Sequence, residues 1–293
     1  MKANSRYSQV NKKSYLRMSF RRFRRHRLAV IGLILLAIFV VAALFAPFLA
    51  PYDPRKQFFS ERLKGPSSKH YLGNDQFGRD ILSRILYGGR LSMIVGFVSV
   101  ILGLFLGGML GLLAGYFRRL DNLIMRLMDI LLSFPSILLA IAVVTILGPG
   151  LINVMIAVGI RSIPSYARIV RSTVLVIKKM PYTEASIAMG ASSWRTMIST
   201  ILPNSFPPIL VYSTLEIANA ILLGAILSYL GLGVQPPTAE WGIMVSEGRG
   251  WLREAPHISI FPGLAIFCVT MGFNLVGDGL RDSLDVRLKE SGE

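Results

Sequence analysis

Apolar runs separated by short polar segments set out this chain. Leu28 to Leu49 carries no charge, and at about 1.5 Å per residue it just crosses a ~30 Å hydrocarbon core. Leu91 to Phe117 is a second such run. Ile130 to Ile160 is uncharged for 31 residues but is cut by Gly148-Pro149-Gly150, through which no helix continues. It predicts a hairpin of two spans. Phe206 to Leu230 and Ile258 to Val276 complete the series. The pattern predicts an all-α polytopic membrane protein with six transmembrane helices, at 28–49, 91–117, 124–147, 151–171, 206–231 and 258–280. External loops fall at 50–90 and 232–257, an inner loop at 172–205, and tails at 1–27 and 281–293.

Charge sets the orientation. Ten of the 32 basic residues precede Leu28, in a segment without an acid, which marks a tail held beside anionic lipid on the cytoplasmic side. Both termini are expected there. The same asymmetry explains the net charge of +16 without nucleic acid. Residues 18–27 are expected to lie along the membrane surface. A cleaved signal peptide is the competing reading of the first run, which exceeds the usual ~7 to 15 apolar residues. Pro51 to Gly89 holds seven Lys or Arg against four acids, against the positive-inside bias, but the N-terminal tail outweighs it. The hydrophobic share of 53% and mean hydropathy of +0.54 agree with a membrane protein. Cys268 stands alone, so no intrachain disulfide forms.

The inner loop is the most informative polar stretch. Pro181 suits a first helical turn, and Glu184 favours the positive end of that helix. Gly190 is where the chain leaves helical geometry, Ser192 or Ser193 caps a second short helix through Trp194 and Arg195, and Pro203, Pro207 and Pro208 are expected to end it. The product is a helix, turn, helix knob. Arg168, Arg171, Lys178 and Lys179 lead into it, with only Glu184 expected to oppose them.

These residues carry a resemblance. Glu184-Ala185, Gly190 six residues after the Glu, and Leu202-Pro203 closely resemble the signature loop of ATP-binding-cassette importer permeases, with Ser186 where the family's second Ala stands and Thr200 for its usual Ile. HYLGNDQFGRDILSRILYGGRLSM, His70 to Met93, resembles the stretch before the second span in the C-type permease of dipeptide, oligopeptide and nickel importers, through His70, Gly73, Asp75, Gly78, Arg79 and Asp80. LSYLGLGVQPP, with Tyr229 for Phe, and the closing FNLVGDGLRDSLD are similar to the same family, with Val286 where Pro is usual. The resemblance implies a type I importer permease that forms a heterodimer with a related permease and couples through Glu184, Ala185, Ser186, Gly190, Leu202 and Pro203 to two cytoplasmic ATPase subunits. ATP and Mg would be bound by those partners, with no cofactor in this chain. An external solute-binding protein would deliver di- or oligopeptides. Nickel or another small solute is the alternative cargo.

Elsewhere the residues speak for themselves. Asp80 opens a short helix after a Gly-hinged turn, with Arg84 on its face. His70 and Asp75 read as hydrogen-bonding structure rather than metal ligands. The glycines from Gly96 to Gly115 allow close helix approach within the bundle. Arg161 falls well inside the membrane, as do Glu216 and Asn219, which share a helix face. Such groups are costly unless they face protein or a wet cavity, so the three are candidate pathway residues and Arg161 is expected to pair with Glu216. Trp241 and Trp251 suit the outer interface. Asp278, Arg281, Asp282 and Asp285 are spaced for structural pairs along the last helix. No phosphate-binding Gly-Lys motif, nucleophile elbow or metal-spaced His set occurs, so no catalytic residue is assigned and the chain is not expected to hydrolyse ATP. An ion-coupled secondary transporter would leave the Glu184 to Pro203 loop unexplained. A membrane scaffold would tolerate changes in it.

Overall fold

The computed structural model describes residues 21–284. The expectations for residues 1–20 and for Asp285 lie outside them. Helix α1 (Arg27–Leu44) breaks at Phe45, and a short turn (Ala46–Leu49) follows. Then come α2 (Ile81–Tyr116), α3 (Arg118–Ser133), α4 (Ser136–Leu147) and α5 (Leu151–Lys178). The chain ends with α6 (Pro181–Ala188), α7 (Ser193–Tyr229), α8 (Trp241–Gly248) and α9 (His257–Leu284). Among the described residues there is no β-strand beyond one bridge between Asn74 and Asp80.

Helices α1, α2, α7 and α9 are each long and apolar enough to cross a membrane, and the bent pair α3 and α4 makes a fifth candidate. Helix α5 spans 28 residues, but Arg161, Arg168 and Arg171 dilute its apolar character. The stretch expected as one span over 124–147 is two helices meeting at 92°. Phe134, extended at φ −85° and ψ 136°, precedes Pro135, and the residue before a proline is pushed out of the helical region.

The short helix expected from Asp80 and the run from Leu91 are one element, and α2 continues unbroken for 36 residues from its N-cap at Asp80 through Gly88 and Gly89. The glycines serve packing instead. A Cβ on Gly88 would press on the Glu240 backbone at 3.3 Å, and one on Gly89 would meet the Trp241 ring at 2.9 Å. Trp241 is therefore not an interfacial residue. It is 1% exposed, and its Nε1 donates to the Ile85 carbonyl at 3.0 Å. Trp251 is half-buried against the same core.

The central seam joins α2 to α5. Side chains added at Gly103, Gly107, Gly111 or Gly115 would strike Ser162, the Ile163 carbonyl, the Ala167 carbonyl and Val174 respectively. The small residues thus pack within the chain. Ser99 Oγ donates to the Met155 carbonyl at 3.0 Å, and Lys178 Nζ donates to the Tyr116 carbonyl at 2.7 Å. Partner numbers rise together along both helices, so α2 and α5 lie parallel and stay in contact along nearly all of α5. At the end of the bundle near Tyr116 lie α6, the start of α1 and the end of α9, the last two joined by a His26 to Asp282 contact at 3.3 Å. Asp282 pairs across helices rather than along its own. The segment 50–80 caps the opposite end.

Candidate functional site

The first candidate region is the knob. Pro181 occupies the first turn of α6 and Glu184 follows it. At the far end, Gly190 takes φ +83°, its N–H donates to the Ile187 carbonyl at 2.9 Å, and the Ala191 N–H donates to the Ser186 carbonyl at 3.1 Å. These paired bonds satisfy the last carbonyls of the helix, and a left-handed residue is what that closure needs. Ser192 Oγ then caps α7 by accepting from the Arg195 N–H at 3.3 Å.

Pro203, Pro207 and Pro208 do not end this helix, contrary to expectation. Thr196 to Ile201 form a wide π turn, and helical geometry continues to Tyr229. Side chains take up backbone carbonyls around the prolines: Asn204 Nδ2 donates to the Thr200 carbonyl at 2.6 Å, and Ser205 Oγ to that of Ile201 at 2.9 Å. These bonds hold the turn around Pro203, which stands in the first turn of the α segment, where a missing N–H costs least. The knob and the following membrane helix are thus one piece.

Thr183, Thr196, Met197 and Ile201 are buried and fasten the knob. Thr183 Oγ1 donates to the Ile177 carbonyl at 2.9 Å, fixing α6 to the end of α5. Glu184, Ala185, Gly190, Leu202 and Pro203 are exposed, with Ser186 half-buried. Around them lie Met189 at 82% exposure and Trp194 at 61%. An apolar surface of this kind on a small protrusion suits a protein partner.

The second region lies between α5 and α7. Arg161 Nη2 forms an ion pair with Glu216 Oε1. Glu216 Oε2 accepts from Tyr212 Oη at 3.2 Å and from Asn219 Nδ2 at 3.5 Å. Glu216 is buried and Asn219 is exposed, and Arg161 Nε is buried with no hydrogen-bond partner. Tyr212 also lines a cavity of about 410 Å³ walled by Pro207, Pro208, Leu215 and Arg281. Charged and amide groups at this depth face protein or water, not lipid.

The basic cluster leading to the knob is opposed by more than Glu184. Arg171 forms a two-pronged pair with Asp121, at 2.5 and 2.7 Å, and Arg168 meets Asp129 at 2.6 Å. Both acids sit on α3, so α3 and α5 are tied by charge.

The third region is the cap at the other end. Asp75 Oδ1 accepts from the Phe77 and Arg79 N–H groups at 2.8 and 2.9 Å, and its Oδ2 takes Arg79 Nε at 2.5 Å. Gly78, at φ +77°, closes this turn against the Phe58 backbone, where a Cβ would collide. His70 is 2% exposed and its two ring nitrogens lie 2.8 Å from Asp80 and from Glu61. Asp80 Oδ2 meanwhile caps α2 through the Ser83 N–H at 2.8 Å. Arg84 does not use Asp80; it shares Glu247 with Arg79, at 2.9 and 2.8 Å. His70 and Asp75 therefore serve different partners. Hydrogen bonds from Lys69 and then His70 hold the Glu61 carboxyl below its usual 4.5. Burial pushes Glu240 upward, although its side chain accepts from the Gly242 and Ile243 N–H groups and from Ser92 Oγ.

The family described as "Binding-protein-dependent transport system inner membrane component" matches residues 103–290, which include both the knob and the Arg161 to Glu216 pair. The chain belongs to this family. A second match, "N-terminal TM domain of oligopeptide transport permease C", covers residues 14–66. Glutathione transport system permease protein GsiD of Pectobacterium atrosepticum is 49% identical over 272 residues, covering 92% of this chain and 90% of that protein. Dipeptide transport system permease protein DppC of Alkalihalophilus pseudofirmus is 47% identical over 274 residues, covering 93% and 90%. Among solved structures, the inward-facing MetNI methionine ABC transporter matches with a TM-score of 0.57 at 19% identity, over 69% of this chain and 96% of that one. That likeness concerns the fold.

At these three regions the permease has structural partners that sequence reasoning did not single out. Tyr212 holds the far oxygen of Glu216, Asp121 and Asp129 anchor the arginines of α5, and Glu247 neutralises two buried cations in the cap. Only Tyr212 carries a sequence signal, since it lies four residues before Glu216 and so on the same face.

Proposed function

We propose that this permease is the translocation subunit of an ATP-driven importer for di- or oligopeptides delivered by an external solute-binding protein. Six spans with both termini and the knob on the cytoplasmic side fit the placement of α1, α6 and α9 at one end of the bundle. In this reading a related permease completes the passage, and two ATPase subunits, which bind ATP and Mg, grip the surface around Glu184, Ala185, Ser186, Gly190, Leu202 and Pro203. Closure of the ATPases moves the knob, and α7 carries that movement to Glu216. Arg161, Glu216 and Asn219 then face the passage, where opposite charges suit the two ends of a peptide. The named relatives that transport dipeptides and glutathione support the class of cargo.

The observation that carries the mechanism is the continuity of α7 from Ser193 to Tyr229. Thirty-seven residues make a rod of about 55 Å, long enough to couple a surface protrusion to the middle of a bilayer. The test is Gly190→Pro in the reconstituted complex. It removes the N–H bonded to Ile187 and forbids φ +83°, so ATP hydrolysis should persist while dipeptide uptake is lost. Uptake at the wild-type rate would end the reading of the knob as the coupling element.

A further inference from the structure

Two cavities meet at Arg90, far from the knob. One is a groove of about 340 Å³ between α1 and α2, walled by Val40, Leu44, Ile94, Phe97 and Val98. The other, about 220 Å³, lies toward the cap and is walled by Pro54, Arg55, Tyr87 and Thr238. Arg90 lines both, and no carboxylate lines either. Its Nε donates to the Ala43 carbonyl at 2.6 Å and its Nη2 to that of Leu44 at 2.7 Å. The guanidinium is thereby fixed over the end of α1, with three of its five N–H groups still free to donate. Arg55 is exposed, and its side chain makes no hydrogen bond or ion pair among the described residues.

We propose that these joined cavities hold one phospholipid, an acyl chain in the groove and its phosphate between Arg90 and Arg55. From Arg90 to Val98 the groove follows α2 for about 12 Å, close to the depth of one leaflet of a ~30 Å core. Leu44, Ile94, Phe97 and Val98 expose their side chains along it, as an acyl chain requires. At the mouth, two guanidinium groups match a phosphodiester in charge and geometry. Free phosphate would leave the groove unfilled, and a helix from another subunit would have to bring an acid to this depth. A lipid satisfies both ends with one molecule, and it would clamp α1 to α2 at the edge of the cap.

Native mass spectrometry of the detergent-purified complex should show one retained phospholipid per copy of this chain. Arg55→Gln should weaken retention of added phosphatidylglycerol roughly tenfold, as expected for loss of one charge-assisted contact. Val98→Trp, which fills the groove, should abolish retention, with thermal melting in lipid-free detergent confirming that both variants fold. Inorganic phosphate should not displace the lipid. Equal retention in all three proteins would overturn the proposal. So would displacement by inorganic phosphate alone, or crosslinking of an Ile94→Cys variant to a companion subunit through this groove.

Discussion

Arg161 on α5 and Glu216 on α7 lie 55 residues apart in sequence and close on each other as an ion pair within the bundle. Glu216 is 3% exposed while Arg161 retains 18%, so one member is sealed in protein and the other stays partly accessible. Removing one partner of a buried pair costs roughly 3–5 kcal/mol, because the remaining charge is left uncompensated. Glu216→Gln should lower the melting temperature of the complex, and adding Arg161→Gln should recover much of it. If the passage reading is correct, dipeptide uptake stays low in the double variant. Recovery of uptake together with stability would reduce the pair to a structural brace.

Trp194 should separate docking from folding. Its side chain is 61% exposed, so Trp194→Ala should change the stability of the isolated permease by less than about 0.5 kcal/mol. Loss of a large aromatic from a docking surface commonly costs 2 kcal/mol or more, roughly thirtyfold in affinity. Pull-down of the ATPase subunits with this variant should therefore fall sharply while permease yield holds.

In the cap, Glu247 neutralises both Arg79 and Arg84, which are 2% and 1% exposed. Glu247→Ala leaves Asp75 as the one carboxylate beside two buried cations, at 2.5 Å from Arg79 and 3.6 Å from Arg84, and a loss of roughly 3 kcal/mol is expected. Limited proteolysis should then cut within residues 50–80 faster than elsewhere. A Glu247→Gln variant should be intermediate, since it keeps an acceptor but not the charge.

Glu61 gives the cap a pH dependence. Its carboxyl titrates below 4.5 when folded, chiefly through Lys69 and then His70. The unfolded segment therefore binds a proton first as pH falls, so the contribution is full above 4.5 and fades as pH drops through the lowered value. Glu61→Gln should flatten the loss of protease resistance in that acid range by lowering resistance at neutral pH toward the level the acidified protein shows.

What the sequence made legible were features set by near neighbours or by the cost of burial. The turn at Gly190 with its cap at Ser192 follows local rules, and an arginine and a glutamate in uncharged runs needed partners. The misses share a cause as well. Hydropathy along 124–147 averages over Phe134-Pro135, where backbone sterics turn the chain. Pro203, Pro207 and Pro208 read as stops because the π turn and the side chains of Asn204 and Ser205 act in three dimensions. Trp241 looks interfacial until Gly88 and Gly89, some 150 residues earlier, are seen to make its pocket. Arg168 and Arg171 look unopposed until α3 folds back with Asp129 and Asp121.

The glycine seam between α2 and α5 leaves little room for those helices to slide, since carbonyls already touch where side chains would stand. They must travel as a single beam. One end of that beam begins under the capped loop at Ile81, and the other delivers the chain to Pro181. A load placed on either end of that beam therefore falls on the same piece of protein, with no relay of small rearrangements in between.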